Sequence, residues 1–163
     1  MELKRITHAE NVRLSDSGRA VRILDQSRLP NETVYLELSQ VEDLYEAIAS
    51  LRVRGAPAIG IFAGYALYVL ALQSQETQYG PFLEACRRNR DYLNSSRPTA
   101  VNLRHMLDRV MAVAESMPCA DVPSIQAAMG QAARAIHQED IAMCTAISEY
   151  GLSLVKAGDG ILT

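Results

Sequence analysis

Apolar positions recur along this chain with two different periods, and the change from one to the other divides it. In Val12-Arg13-Leu14 and Ala20-Val21-Arg22-Ile23-Leu24 the apolar side chains alternate with polar ones, as in half-buried strands, and Ser15-Asp16-Ser17-Gly18 reads as the turn between them. Thr33-Val34-Tyr35-Leu36-Glu37-Leu38 repeats the pattern after a loop holding Pro30 and Asn31. The spacing predicts a small antiparallel β-sheet within residues 1–38.

From Ser39 onward the period becomes helical. Ser39 and Glu42 have the spacing of a capping box, and Val41, Leu44, Tyr45 and Ile48 follow at helical intervals. A second helix is expected from Pro57 to about Gln73, with Gly60, Ala63, Gly64 and Ala71 small enough to let other backbones approach. Phe82, Leu83, Cys86 and Leu93 mark a third, whose outer face carries Arg87, Arg88, Arg90 and Asp91. A fourth begins near Pro98, with Leu103, Met106, Leu107, Val110, Met111 and Ala114 on one stripe, and Pro118 and Pro123 bracket the loop after it.

The last helical stretch is the longest. Ile125, Met129, Ala132, Ile136, Met143, Ile147, Tyr150 and Leu154 keep the 3.6-residue period, broken only at Glu139 and Asp140, and Gly151 either interrupts or bends it. Gly158-Asp159-Gly160 stops the helix and Ile161-Leu162-Thr163 reads as the opening of a buried strand with nothing after it. The expectation is an α+β chain that is a fragment, with a sheet at 1–38, a helical domain at 39–157 and the first residues of a further domain at 158–163.

Composition narrows the function classes. At 163 residues and 48% hydrophobic the chain can bury a sizeable core, and a net charge of -3 provides no basic field for nucleic acid. A local basic pair can still hold a small anion. Cys86, Cys119 and Cys144 are an odd set without metal or redox spacing, and no apolar signal segment precedes the sheet, so a cytoplasmic protein is expected. Ala56 to Leu72 is apolar or small throughout but shorter than a membrane span, which predicts a helix buried in protein rather than a membrane partner.

The sharpest local chemistry lies in Arg54-Gly55-Ala56-Pro57-Ala58-Ile59-Gly60. Pro57 suits a first helical turn, Gly55 lets the backbone come close to a bound group, and Arg54 beside that helix start makes a phosphate or carboxylate site. Ser95-Ser96-Arg97-Pro98-Thr99-Ala100 repeats the arrangement, with Arg97 directly before a proline-started helix. Either these two units converge on one phosphorylated ligand, or Pro and Gly merely punctuate helices and both arginines face water.

Other candidates carry less. Glu139 and Asp140 on an apolar seam suit a buried acid for proton transfer, but equally a helix cap, an arginine partner or a solvated edge. His8, His105 and His137 are too scattered to indicate a metal site, and the three cysteines read as small hydrophobes or free thiols. Arg87-Arg88-Asn89-Arg90 lacks interleaved aromatics and reads as a solvated face; Tyr65 and Tyr68 read as core or interface residues.

At Arg54-Gly55-Ala56-Pro57-Ala58-Ile59-Gly60 the chain resembles the methylthioribose-1-phosphate isomerases of methionine salvage. The likeness extends through Ile23-Leu24-Asp25-Gln26, Leu29-Pro30, Glu32-Thr33-Val34-Tyr35-Leu36-Glu37, Ser96-Arg97-Pro98-Thr99-Ala100-Val101-Asn102-Leu103, Ile136-His137-Gln138-Glu139-Asp140 and Ile161-Leu162-Thr163. That resemblance implies a small sheet and helical region followed by a larger Rossmann-like domain, assembled as a homodimer. It implies substrate contacts at Arg54, Gly55, Ala56 and Arg97, and interconversion of an aldose 1-phosphate with its ketose without metal or redox cofactor. By the same resemblance the catalytic cysteine falls two positions beyond Thr163 and the catalytic aspartate farther on, so this segment holds no catalytic residue and would be a binding half. The fold also resembles ribose 1,5-bisphosphate isomerases and the regulatory subunits of a translation initiation exchange complex, the latter being protein-interaction scaffolds.

Overall fold

The computed structural model describes residues 11–160. Expectations at His8 and at the strand Ile161-Leu162-Thr163 fall outside that range. The architecture is α+β. Strands β1 (Val12–Leu14), β2 (Val21–Leu24) and β3 (Tyr35–Leu38) form an antiparallel sheet in the order β1-β2-β3, and five helices follow. These are α1 (Val41–Ala49), α2 (Ala56–Gln73), α3 (Tyr79–Ser95), α4 (Val101–Glu115) and α5 (Val122–Leu152).

The alternation read from the strands fixes their register. Val12 pairs with Ile23 and Leu14 with Val21, so the apolar side chains share one face, and Val12, Val21 and Ile23 are buried in the same core as the helices. Helix α2 is the centre of that core. Every residue from Ile59 to Ala71 is buried, and the helix packs chiefly against α4 and α5. A helix apolar on all sides has to be enclosed on all sides. It is long and apolar enough to cross a membrane, yet 72% of it is already buried within this fold, which makes it a core helix.

Small residues set how closely its neighbours approach. A Cβ at Gly60 would lie 3.0 Å from Met106 Cγ of α4, and one at Gly64 would lie 3.2 Å from Ile136 Cδ1 of α5. Backbone comes close too, with Asn102 O of α4 3.5 Å from the Cβ position at Gly60 and Ala133 Cα of α5 3.8 Å from that at Gly64, as the small residues predict.

Three local expectations are corrected. The capping box at Ser39 and Glu42 does not form: the N-cap is Gln40, no side chain caps the helix, and the Ser39 carbonyl accepts from Gln73 Nε2 at 2.9 Å. Helix α4 begins at Val101 rather than near Pro98, because Arg97 to Ala100 close a turn (Ala100 N to Arg97 O, 2.9 Å) ahead of it. Arg97 therefore precedes the helix by a full turn instead of standing directly before it. Gly151 does not interrupt α5, which ends one residue later at Leu152; Leu154 and Val155 extend the apolar pattern but not the helix.

The stripe on α5 also changes character along its length. Ile125, Met129 and Ile136 are buried, whereas Met143, Ile147 and Tyr150 are exposed.

Candidate functional site

The α1–α2 loop is built to present Arg54 and Gly55. Its backbone is held from three sides: Val53 N donates to Ala47 O (3.2 Å), Gln26 N to Arg52 O (3.0 Å), and Gln26 Nε2 to Arg54 O (3.4 Å). Below it, the Arg52 guanidinium bonds both Asp25, which is 1% exposed, and Glu46. Burial alone would raise the Asp25 carboxyl, but hydrogen bonds from Ser27 and Arg52 outweigh it and hold the group below its ordinary range. Glu46 is lowered chiefly by its bond from Arg52.

Gly55 then turns the chain into α2 with φ 92° and ψ 130°, a region open to glycine and strained for other residues. Leu51, earlier in the same loop, also has positive φ, at 61°.

Helix α2 starts at Ala56 with Pro57 in its first turn, as the sequence predicts. Gly55 has no side chain to cap it, and no acidic residue lies in the first turn. The amides of Ala56 and Ala58 are thus left without the partner that a serine or aspartate cap would supply. Helix α4 has the same deficiency: its N-cap is Ala100, with no side-chain cap and no acid in the first turn. Helix α5 is the contrast, since its N-cap Asp121 accepts from Ser124 N at 2.7 Å.

These two uncapped helix starts face one cavity of about 460 Å³, lined by Arg54, Gly55, Ala56, Arg97, Thr99 and Asn102 together with Leu51 and the first turn of α4. The convergence of Arg54 and Arg97 on shared space is the geometry that a single anion requires. Among the described residues neither guanidinium pairs with a carboxylate, while Arg52, Arg87, Arg90 and Arg109 all do. Two helix N-termini, each carrying partial positive charge, and two arginines without a carboxylate partner among the described residues give the cavity a positive lining.

Leu51 and Asn102 were not among the site residues read from the sequence. Leu51 carries no motif signal, because only the folded loop turns it toward the site; Asn102 becomes first-turn only once α4 is known to start at Val101.

The remaining candidates separate cleanly. Glu139 is not a buried acid: it is exposed and forms a two-point ion pair with Arg109 of α4, at 2.5 and 2.6 Å, whose hydrogen bond lowers its pKa. His137 accepts or donates one bond, Nδ1 to Tyr65 Oη at 2.9 Å. Cys86 is a buried hydrophobe whose thiol burial pushes up to about 11, unsuited to nucleophilic work. Arg87 and Arg90 are tied to Glu84, Glu115, Asp91 and Asp108, a surface laced by ion pairs rather than a cationic patch. No cluster able to hold a metal exists among the described residues.

Comparison with known proteins gives this cavity its context. The model of the initiation factor 2 subunit family matches residues 52–163, a span containing both arginines. The chain belongs to that family. Among its relatives, a methylthioribose-1-phosphate isomerase from Symbiobacterium thermophilum is 47% identical over 154 residues, covering 94% of this chain and 43% of the relative. A 5-deoxyribose 1-phosphate isomerase from Petrotoga mobilis is 43% identical over 152 residues, covering 93% and 44%. The chain thus spans less than half the length of the curated relatives it matches.

Solved family structures agree on the fold. The 5-methylthioribose 1-phosphate isomerase from Pyrococcus horikoshii OT3 superposes with a TM-score of 0.75 at 33% identity, over 79% of this chain and 36% of that one. The delta subunit of translation initiation factor eIF-2B from A. fulgidus superposes with a TM-score of 0.82 at 28% identity, over 91% and 42%.

Proposed function

We propose that this chain supplies the phosphate-binding half of a sugar-phosphate isomerase that interconverts 5-methylthioribose 1-phosphate and the corresponding ribulose 1-phosphate in methionine salvage. In this reading Arg54, Gly55, Ala56 and Arg97 are the substrate-binding residues, and the reacting groups come from a Rossmann-like domain that residues 158–163 lead into. The sheet to residue 38 and the helices of 39–157 are the two units of the binding half. The whole enzyme is a cytoplasmic homodimer and works without metal or redox cofactor.

The observation that carries the reading is the single cavity between the uncapped starts of α2 and α4, with Arg54 and Arg97 on its wall. A sugar 1-phosphate needs about two negative charges offset, and paired guanidiniums plus backbone amides do so without reorganising during reaction. Because phosphate occupies the anomeric oxygen, the sugar has no free hemiacetal from which to open. Groups around C1 and C2 must therefore act while the phosphate is held still.

A second reading, a non-catalytic scaffold like the exchange-factor subunits, draws on the higher TM-score and wider coverage of the eIF-2B delta subunit. The two separate in one titration. With amide NMR, inorganic phosphate and 5-methylthioribose 1-phosphate are expected to shift Ala56, Ala58, Val101 and Asn102, and Arg97→Ala to weaken both ligands about tenfold or more. Shifts scattered elsewhere, or indifference to Arg97→Ala, would leave the scaffold reading standing and remove the isomerase one.

A further inference from the structure

Leu51 stands where the backbone suits glycine. It follows Ser50, the C-cap of α1, and its amide closes the end of that helix by donating to Ile48 O at 3.2 Å. Its φ is 61°, in the left-handed region that glycine enters freely and a bulky side chain enters at a cost. Helices that end this way commonly carry glycine or asparagine at that position.

The core does not account for the leucine. Leu51 is 38% exposed and lies outside the apolar core formed by the described residues. What it borders is the cavity of Arg54 and Arg97. Val101, in the first turn of α4, repeats the anomaly from a different element: it is 77% exposed, lies outside the same core and lines the same cavity. Two exposed apolar side chains thus flank two guanidiniums and two helix starts. A free phosphate ion gains nothing from an apolar neighbour, because each of its oxygens seeks a donor, whereas the carbon skeleton of a phosphate ester does gain.

We propose that Leu51 is a specificity-determining residue of this cavity: with Val101 it forms an apolar rim against which the uncharged body of a phosphate ester packs, so that the ester is held in preference to the free ion. The inference rests on the phosphate-binding reading above and adds two residues to the four named there. It also gives the left-handed backbone at Leu51 a cause. Glycine would close α1 with less strain but would leave that side of the cavity without an apolar wall. The labour divides accordingly, with the arginines and helix amides holding the charge while Leu51 and Val101 discriminate what is attached to it.

Calorimetric titration of the 163-residue chain at pH 8 with inorganic phosphate and phenyl phosphate, both largely dianions there, tests this. The phenyl ester carries no hydroxyl, so its advantage over the free ion measures apolar contact alone. Wild type is expected to bind phenyl phosphate about tenfold more tightly than inorganic phosphate. Leu51→Asn keeps a residue that tolerates the left-handed backbone but removes the apolar wall; it should weaken phenyl phosphate about fivefold and leave inorganic phosphate unchanged. Leu51→Met, which stays apolar, should retain most of the preference. Val101→Ser, at a position already exposed, should weaken phenyl phosphate about twofold or more, and it gives the answer even where Leu51 variants fold poorly. Equal affinity for the two ligands in wild type, or a preference that survives both Leu51→Asn and Val101→Ser, would overturn the inference and leave the phosphate site intact. Equal weakening of both ligands by Leu51→Asn would overturn it as well, since a residue that merely shapes the loop moves Arg54 and affects every anion alike. Failure of inorganic phosphate to bind wild type would overturn the phosphate-binding reading and this one with it.

Discussion

The Arg52 guanidinium donates to the buried carboxylate of Asp25, 27 residues earlier in the chain, and this pair ties the end of β2 to the loop that carries Arg54. Asp25 Oδ1 is occupied by Ser27, through its hydroxyl at 2.6 Å and its amide at 3.0 Å, so both carboxylate oxygens are satisfied only while Arg52 stays.

The pair predicts an acid sensitivity with a defined sign. Asp25 has a folded pKa below its ordinary value of 3.8, so its contribution is complete above that value and is lost as pH falls through the depressed one. Asp25→Asn should cost about 2 kcal/mol near neutrality, since Arg52 keeps Glu46 but loses its buried acceptor. In urea unfolding at pH 6 and pH 3, the wild type should lose more stability on acidification than Asp25→Asn. Equal losses would mean that Asp25 does not titrate against the fold.

Gly55→Ala tests the backbone of the same loop. No atom lies within 4 Å of the Cβ it would add, so the expected penalty is conformational: about 1–3 kcal/mol from forcing alanine to φ 92°. If the loop relaxes instead, the Ala56 amide turns and phosphate affinity falls while stability recovers. Urea unfolding together with a phosphate titration reads both, and a variant unchanged in each would show that the positive φ is not needed.

How much of this was readable beforehand follows from which interactions are local. The strands, the core helix and the Arg54 unit were legible because alternation, the 3.6-residue period, and a proline at a helix start are consequences of neighbouring residues. Ser39 was misread because a capping box needs the chain to enter the helix at one residue and it enters at the next, Gln40. Arg97 was misplaced for a related reason, since Pro98 fits a turn as well as a first helical turn and only tertiary packing chooses. The period on α5 reported an apolar face through Ile147 and Tyr150 but says nothing of what covers it, and within this chain those residues are 63% and 79% exposed. The Asp25–Arg52 pair was invisible because it has no sequence period, and the convergence of Arg54 with Arg97 was one of two readings that their motifs left open, between which only the tertiary packing chooses.

Two glycines of α5 should respond to alanine in opposite directions. At Gly130 a Cβ would lie 2.7 Å from Tyr68 Cε2 and 2.8 Å from Cζ, in a buried ring packed under Arg134, so overpacking should cost about 1–3 kcal/mol despite the better helix propensity. At Gly151 nothing lies within 4 Å, and the same change should gain about 0.5 kcal/mol from propensity alone. Thermal unfolding of the two variants decides it, and stabilisation by Gly130→Ala would show that α2 and α5 are less tightly packed at Tyr68 than described.

The arginine pair makes the most demanding prediction, because sharing a ligand is a statement about coupling. If Arg54 and Arg97 hold the same phosphate, removing either lets the ligand shift toward the remaining one, and the second removal then costs a different amount from the first. Arg54→Ala and Arg97→Ala should each weaken phosphate about tenfold, with the double variant departing from the sum of the two free energies by at least about 0.5 kcal/mol. Arg97→Lys should restore only part of the loss, since an ammonium keeps the charge but not the two-pronged geometry. Raising ionic strength should weaken the wild type more than the double variant, because Arg54 is exposed and screened by salt. Strict additivity of the two alanine substitutions would mean that the arginines bind separately, and the single-anion geometry of the cavity would have to be abandoned.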